Sequence, residues 1–324
     1  MSLGGFLGIN FDVIAMTIPI LETTIYERPE ELQTPDNHTR QEMHERMQYF
    51  STPEGWQHGL DYKPDPTDVF IVTPPKCGTT WMQQIDHGLR TRGSMDFDEI
   101  TRVVPWIDMA YDTGIDIYAP QVAQPRAFKT HSTLDEVPKG GKYIIVLRDP
   151  KDALLSDYHF FEGFFFEKGS IDLETFARED YLPNRDVFKH IIAFWDRRKD
   201  EDILPLCYEN MKADLPRTVE RVAQFIGIPL DDELKDIVVR HSDIKFMREH
   251  EDQFEDNIIR KTRSEAMGLP LDGKLLKVRS GEVGGSKTAV PDEIIKELDR
   301  MWREEITSRF GLNSYEDLRK DVVN

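Results

Sequence analysis

Cysteine is nearly absent from this 324-residue chain; only Cys77 and Cys207 occur. Two thiols support no disulfide framework and fit a reducing compartment, so the cytoplasm is the expected location. An excess of positive charge is also missing. The chain has 41 Lys and Arg against 60 Asp and Glu, a formal net charge of −19. Such a surface repels DNA and RNA at long range, and no nucleic-acid partner is expected. An anionic ligand would need its own local cluster of Lys, Arg and backbone N–H groups. A bilayer-spanning run is lacking as well. Residues 3–21 are fairly apolar, but they have no basic start, carry Asn10 and Asp12 and offer no clear small-residue cleavage site. They are expected to form an arm packed on the domain, not a targeting or membrane segment. The nine histidines are scattered, and neither HExxH nor CxxC occurs, so no metal is expected. Internal repeats and low-complexity linkers are also absent.

What remains suits a globular enzyme. Hydrophobic residues make up 39% of the chain, enough for a buried core. The length allows one large α/β domain or two modest ones, and a single domain over 1–324 is the expectation. Residues 1–66 read as an N-terminal arm and a polar, turn-rich lead-in, with one helix around Arg40–Phe50. Short β-branched runs then alternate with helical spacings. Strands are expected at Val69–Thr73, Arg126–Lys129, Lys142–Leu147 and Ile203–Tyr208. Helices are expected at Thr79–Arg92, Lys151–Phe161, Val187–Arg198, Pro216–Ile226 and Pro291–Phe310. The Lys- and Glu-rich stretch Met247–Lys277 is expected to be a mobile loop region. This alternation implies an α/β fold with a central, mostly parallel sheet flanked by helices on both faces.

The sharpest local signal is Thr73-Pro74-Pro75-Lys76-Cys77-Gly78-Thr79-Thr80-Trp81, a tight loop between a strand and a helix. A helix N-terminus presents unpaired N–H groups and a partial positive charge, which together bind phosphate. Gly78 permits close backbone approach. Thr79 and Thr80 add hydroxyls, and Lys76 adds a full charge. The unit is P-loop-like, but the G-x-x-x-x-G-K-[ST] order is absent because the lysine precedes the glycine. Cys77 reads as a small loop residue whose N–H matters, since no partner base lies near it in sequence. A second anion site is expected at Arg148, directly after the strong strand and at the sheet edge where open α/β folds bind ligands. Ser156, eight positions on, could join it. A guanidinium grips phosphate with paired hydrogen bonds.

Taken in order, several pieces of this sequence resemble the soluble, small-molecule branch of the sulfotransferases that use 3′-phosphoadenosine 5′-phosphosulfate (PAPS). These are Pro75–Trp81, Lys129-Thr130-His131, Arg148 with Ser156, Tyr208, and Arg279-Ser280-Gly281 with Gly284 and Lys287. The resemblance implies that Lys76, Cys77, Gly78, Thr79, Thr80 and Trp81 cradle the 5′-phosphosulfate. It implies that Arg148 and Ser156 hold the 3′-phosphate, that Tyr208 lies near the adenine, and that Arg279, Ser280 and Gly281 close over the 3′-phosphate. His241-Ser242-Asp243-Ile244 matches the adenine-contacting stretch in part, with Ser242 as the candidate. Some positions depart from the family. Cys77 stands where serine is usual, Ser280 where lysine is common, and Ser286 where the family has tryptophan. The dimerisation motif is not recognisable around Lys287–Glu293, so monomer and homodimer both stay open.

On this reading His131 is the catalytic base, because imidazole titrates near neutral pH. Lys76 stabilises charge on the bridging oxygen during in-line transfer, and Lys129 assists it or orients the sulfuryl group. PAPS is used, PAP (3′-phosphoadenosine 5′-phosphate) is the product, and no metal is required. The acceptor is expected to be a small molecule. The aromatic stretch His159–Glu167, with Phe161, Glu162 and Phe165, reads either as a lid pivoting at Gly163 or as core. Trp106, Met109 and Tyr111 are further candidates to line the pocket. Asp108, Asp112, Asp116, Glu162 and Glu167 would favour a polar or cationic natural product as acceptor. Two alternatives stay open, a nucleotide-dependent small-molecule kinase and a non-catalytic PAPS-binding protein.

Overall fold

The structure, a computed structural model, describes residues 36–269, 277, 281 and 283–323. Helix α1 (Asp36–Gln48) covers the helix expected in the lead-in. A second helix, α2 (Pro53–Leu60), was not expected there. Pro53 suits a first helical turn, and the Thr52 Oγ accepts from the Gly55 N–H at 3.0 Å. Burial of Trp56 then fixes the helix against the domain. Residues 1–35, including the apolar arm, lie outside the described residues.

Four strands form one sheet: β1 (Val69–Val72), β2 (Ala127–Thr130), β3 (Lys142–Leu147) and β4 (Ile203–Cys207). Their order is β2-β1-β3-β4, and every pairing is parallel. Because side chains alternate across a strand, each strand feeds two cores. Phe70, Val72, Phe128, Tyr143 and Ile145 face one core. Val69, Ile71, Ala127, Ile144 and Val146 face the other. Helix α3 (Thr79–Arg90) follows β1, and α4 (Pro150–Phe164) follows β3. Helix α5 (Asp186–Phe194) packs with α4 on the first face, whereas α6 (Leu215–Ile226) joins α3 on the second. The expected α/β class, with helices on both faces, is therefore observed.

The stretch expected as a loop over Met247–Lys277 is largely helical as far as Met267. It contains Glu251–Phe254 and α7 (Asn257–Met267). Met247, Phe254, Ile258, Ile259 and Met267 are buried, and that apolar set outweighs the surrounding Lys and Glu residues. Residues 270–276 lie outside the described residues. Near the C-terminus, α8 (Asp292–Met301) runs through a π-helical turn to Phe310, as the spacing over Pro291–Phe310 predicts.

The topology positions the site. The crossover leaving β1 runs to β2 on one side and the crossover leaving β3 runs to β4 on the other, so they diverge at the C-terminal ends of β1 and β3. Open parallel sheets bind ligands at such a switch point. Thr73, His131 and Arg148 directly follow β1, β2 and β3.

Candidate active site

A cavity of about 310 Å³ opens at this switch point. Its walls carry five cationic side chains, Lys76, Lys129, Arg148, Lys212 and Lys277, against three aspartates. In a chain of charge −19 this is a local reversal of sign.

The first wall is the loop between β1 and α3. Gly78 caps α3 with φ +103°, a backbone state costly for other residues. A side chain there would also strike the Tyr208 ring, since a Cβ would lie 2.9 Å from it. Lys76 itself is left-handed, at φ +60°, and its carbonyl accepts from the Arg148 guanidinium at 3.3 Å. The Thr73 and Thr79 hydroxyls meet at 2.5 Å. The N–H groups of the first turn of α3 have no intrahelical acceptor. Lys76, Gly78, Thr79, Thr80 and Trp81 all line the cavity. Cys77 does not. Its thiol is buried, which pushes its pKa up, and its N–H points to the Pro74 carbonyl at 3.4 Å. Cys77 thus shapes the turn from behind, a correction to its expected ligand-facing N–H.

The second wall joins three distant segments. Arg148 lies 4.5 Å over the Tyr208 ring, and Tyr208 meets Trp81 edge-on at 5.3 Å. The Trp81 indole donates to the Ser242 carbonyl at 2.7 Å. Gly281 (φ +62°) packs by Ile244 and lies near the Tyr208 hydroxyl, while its carbonyl accepts from Lys212. Ser156, Ser242 and Ile244 line the same cavity. Arg279 and Ser280 lie outside the described residues. What anchors their neighbours is Asp152, on the first turn of α4, which accepts the N–H groups of Gly284 and Ser286 at 2.6 and 3.1 Å. Burial works to raise the Asp152 pKa, but these hydrogen bonds hold it below the usual carboxylate range.

At the far end stand His131, Lys129 and Trp106. The His131 Nδ1 sits 2.8 Å from the Thr73 carbonyl. A carbonyl only accepts, so Nδ1 carries the proton and Nε2 is the basic nitrogen. Burial and the neighbouring Lys129 charge lower the His131 pKa to about 3, so the imidazole is neutral at pH 7. Its ring packs edge-on to Trp106 at 4.9 Å. Lys129 is buried, with its ammonium 4.3 Å over Trp106 and 3.6 Å from Asp256. Burial, partly offset by Asp256, lowers its pKa to about 7. Asp256 also pairs with Lys277, and these cations keep it ionised despite burial.

The acceptor-pocket expectations fare unevenly. Trp106 lines the cavity. Asp108 lies beneath it, accepting from the Trp106 indole, the Thr130 hydroxyl and the His131 backbone N–H at 2.8–3.0 Å, and so ties the end of β2 to Trp106. Burial raises its pKa to about 6, against those hydrogen bonds. Tyr111 is 55% exposed and lies outside the cavity. Phe161 and Phe165 are core residues, and α4 runs unbroken through Gly163, so the stretch 159–166 is core and not a lid. Only Phe160 from it reaches the cavity. Glu162 accepts from Gly169 N–H and pairs with His159 instead. Sequence reasoning missed Asp157, Asp256 and Lys277, and named Phe160 only as part of the aromatic stretch. Phe160 is four residues after Ser156, one turn along the same helix face, a spacing that could have found it. Asp256 offered no local signal.

Among the described residues no group of His, Cys, Asp and Glu could hold a metal ion, and no helix is long and apolar enough to cross a membrane.

A parallel α/β sheet with a lysine-bearing strand-loop-helix, a second arginine site and a neutral histidine between them defines a group-transfer enzyme for a phosphorylated donor. The sulfotransferase domain family matches residues 66–311. The rabbit amine sulfotransferase is 30% identical over 276 residues, covering 81% of this chain and 88% of the relative. Mouse sulfotransferase 1B1 is 28% identical over 215 residues, 60% of this chain and 70% of that one. Among solved structures, retinol dehydratase in complex with androsterone and inactive cofactor PAP superposes with a TM-score of 0.62 at 18% identity, covering 81% and 85% of the two chains. Mouse SULT7A1 complexed with PAP gives 0.57 at 16% identity, covering 85% and 94%. At those identities the structures speak for the fold. The chain belongs to the PAPS-dependent sulfotransferase family and is an enzyme of that class.

Proposed function

We propose that this enzyme moves the sulfuryl group of PAPS onto a hydroxyl or amine of a small, polar or cationic acceptor by in-line displacement, with His131 as general base. The observation that carries this reading is one cavity holding Lys76, Arg148 and His131 together. Five cations within a −19 chain, with helix N–H groups beside them, fit a donor bearing several phosphate and sulfate charges. When bound, PAPS supplies the sulfuryl group and a phosphate leaving group. Arg148 and Ser156 would hold the 3′-phosphate, Tyr208 would lie near the adenine, and Arg279, Ser280 and Gly281 would close over the 3′-phosphate. Lys76 and the first turn of α3 stabilise negative charge on the departing oxygen. Nε2 of His131 takes the acceptor proton as the acceptor's new bond to sulfur forms.

The neutral, Nδ1-protonated ring supports that role. Its low basicity belongs to the cofactor-free site, where burial and the nearby lysine charges disfavour imidazolium. An anionic donor would offset those charges and raise it. A cationic acceptor is supported by the cavity acids and by similarity to an amine sulfotransferase. Both cysteines are free and buried, in keeping with a reducing cytoplasm. A single domain spanning the whole chain belongs to the same reading.

Turnover of PAPS against a panel of phenols, alcohols, amines and cationic alkaloids, read by mass gain, tests the reading. His131→Ala should lower transfer about 100- to 10,000-fold while PAP still raises thermal stability. Unchanged transfer would remove His131 as the base.

A further inference from the structure

An aspartate in the wall of a polyanion site works against the cofactor unless a cation accompanies it. Asp157 is such a residue, on α4 directly after Ser156. Its Oδ1 is sealed from solvent and accepts no hydrogen bond. The nearby cation is Lys76, but the Lys76 ammonium lies 4.3 Å over the Phe160 ring. Phe160 is three residues after Asp157, so carboxylate and aromatic face stand side by side on one helix surface. A half-buried carboxylate with one sealed oxygen, beside an aromatic ring, suits an organic cation, and in the cofactor-free state a lysine of the protein already lies over that ring.

We propose that Asp157 and Phe160 form the cation subsite of the acceptor, filled by Lys76 until the cofactor draws that lysine to its phosphosulfate, and then open to the ammonium or guanidinium of the acceptor. The inference rests on the sulfotransferase reading and deepens it by assigning the acceptor class and the residues that select it. It also gives binding an order. Before the cofactor arrives, Lys76 competes with the acceptor; afterwards Lys76 is engaged elsewhere and the carboxylate lacks a counter-charge. Burial raises the pKa of Asp157, with Lys76 opposing the rise and Asp180 adding to it. An arriving ammonium takes over the part of Lys76 and keeps the carboxylate ionised. Asp256 does not compete for this role, because Lys129 and Lys277 already hold it.

Calorimetric titration of the full chain with tyramine and with its neutral analogue 4-ethylphenol, each with and without saturating PAP, tests the subsite. PAP-loaded enzyme should bind tyramine about tenfold or more tightly than 4-ethylphenol, and omission of PAP should shrink that ratio. Asp157→Asn should abolish the preference by weakening tyramine alone. Asp157→Glu, which keeps the charge, should retain part of it, and a PAP-induced rise in melting temperature reports that each variant is folded. Equal binding of the two probes by PAP-loaded wild type, no tyramine binding at millimolar concentration, or a preference that survives Asp157→Asn would each overturn the inference. Failure of wild type to bind PAP would strike the sulfotransferase reading itself, and it is seen before any amine is added.

Discussion

The two ends of the cavity are built differently. At the proposed cofactor end, adjacent groups fix one another. The Lys76 carbonyl accepts from Arg148, Arg148 covers Tyr208, and Tyr208 backs both Trp81 and Gly78. Much of this framework is backbone geometry, with left-handed Lys76, Gly78 and Gly281 at its corners. At the proposed acceptor end the walls are side chains, not backbone corners: Trp106, Lys129, His131, Asp157 and Asp256. Charge there is balanced by pairing, as in the contacts of Asp256 with Lys129 and Lys277. A ligand common to many enzymes suits a rigid frame, whereas a variable acceptor suits replaceable side chains.

If that division is right, substitutions at the two ends should separate binding from transfer. The largest effect on binding is expected at Arg148. Arg148→Ala should weaken PAP by roughly 2–5 kcal/mol, at least about thirtyfold in Kd, whereas His131→Ala should change PAP affinity little. Titration of both variants checks this, and equal losses would erase the distinction between the ends. A smaller effect is expected from pH. In the free enzyme Lys129 has a pKa lowered to about 7, first by burial. A bound anion favours its charged form and raises that value, so binding takes up a proton. PAP affinity should therefore fall as pH rises above 7, by up to about one decade per unit, until the bound-state pKa is passed. Affinity constant from pH 7 to 9 would show that Lys129 does not sense the anion.

The same division accounts for what the sequence revealed. The strands were legible because β1 and β4 are short apolar runs and β3 is one after Lys142, with Pro74, Arg148 and Tyr208 at or just past their ends, and each is buried in the sheet. The phosphate loop was legible because strand, loop and helix are contiguous. Helix α2 was overlooked because its apolar side chains are few, and the cap at Thr52 together with Trp56 does the fixing. The helices within Met247–Met267 were hidden under charge, since their stability comes from burial against distant elements. Asp256 could not be read at all, because its partner Lys129 lies 127 positions earlier in the chain. The run 159–166 misled for the opposite reason. Its aromatic density looked like a pocket, yet most of those rings pack on Phe50 and Phe176 in the core.

The most direct test of the account is calorimetric titration of the unmodified enzyme, without magnesium, with PAP, with adenosine 5′-phosphate and with ATP. PAP should bind at least about tenfold tighter than adenosine 5′-phosphate, because on the proposed reading the extra 3′-phosphate meets Arg148 and Ser156. Equal affinities for the two, or a preference for ATP that appears on adding magnesium, would contradict it.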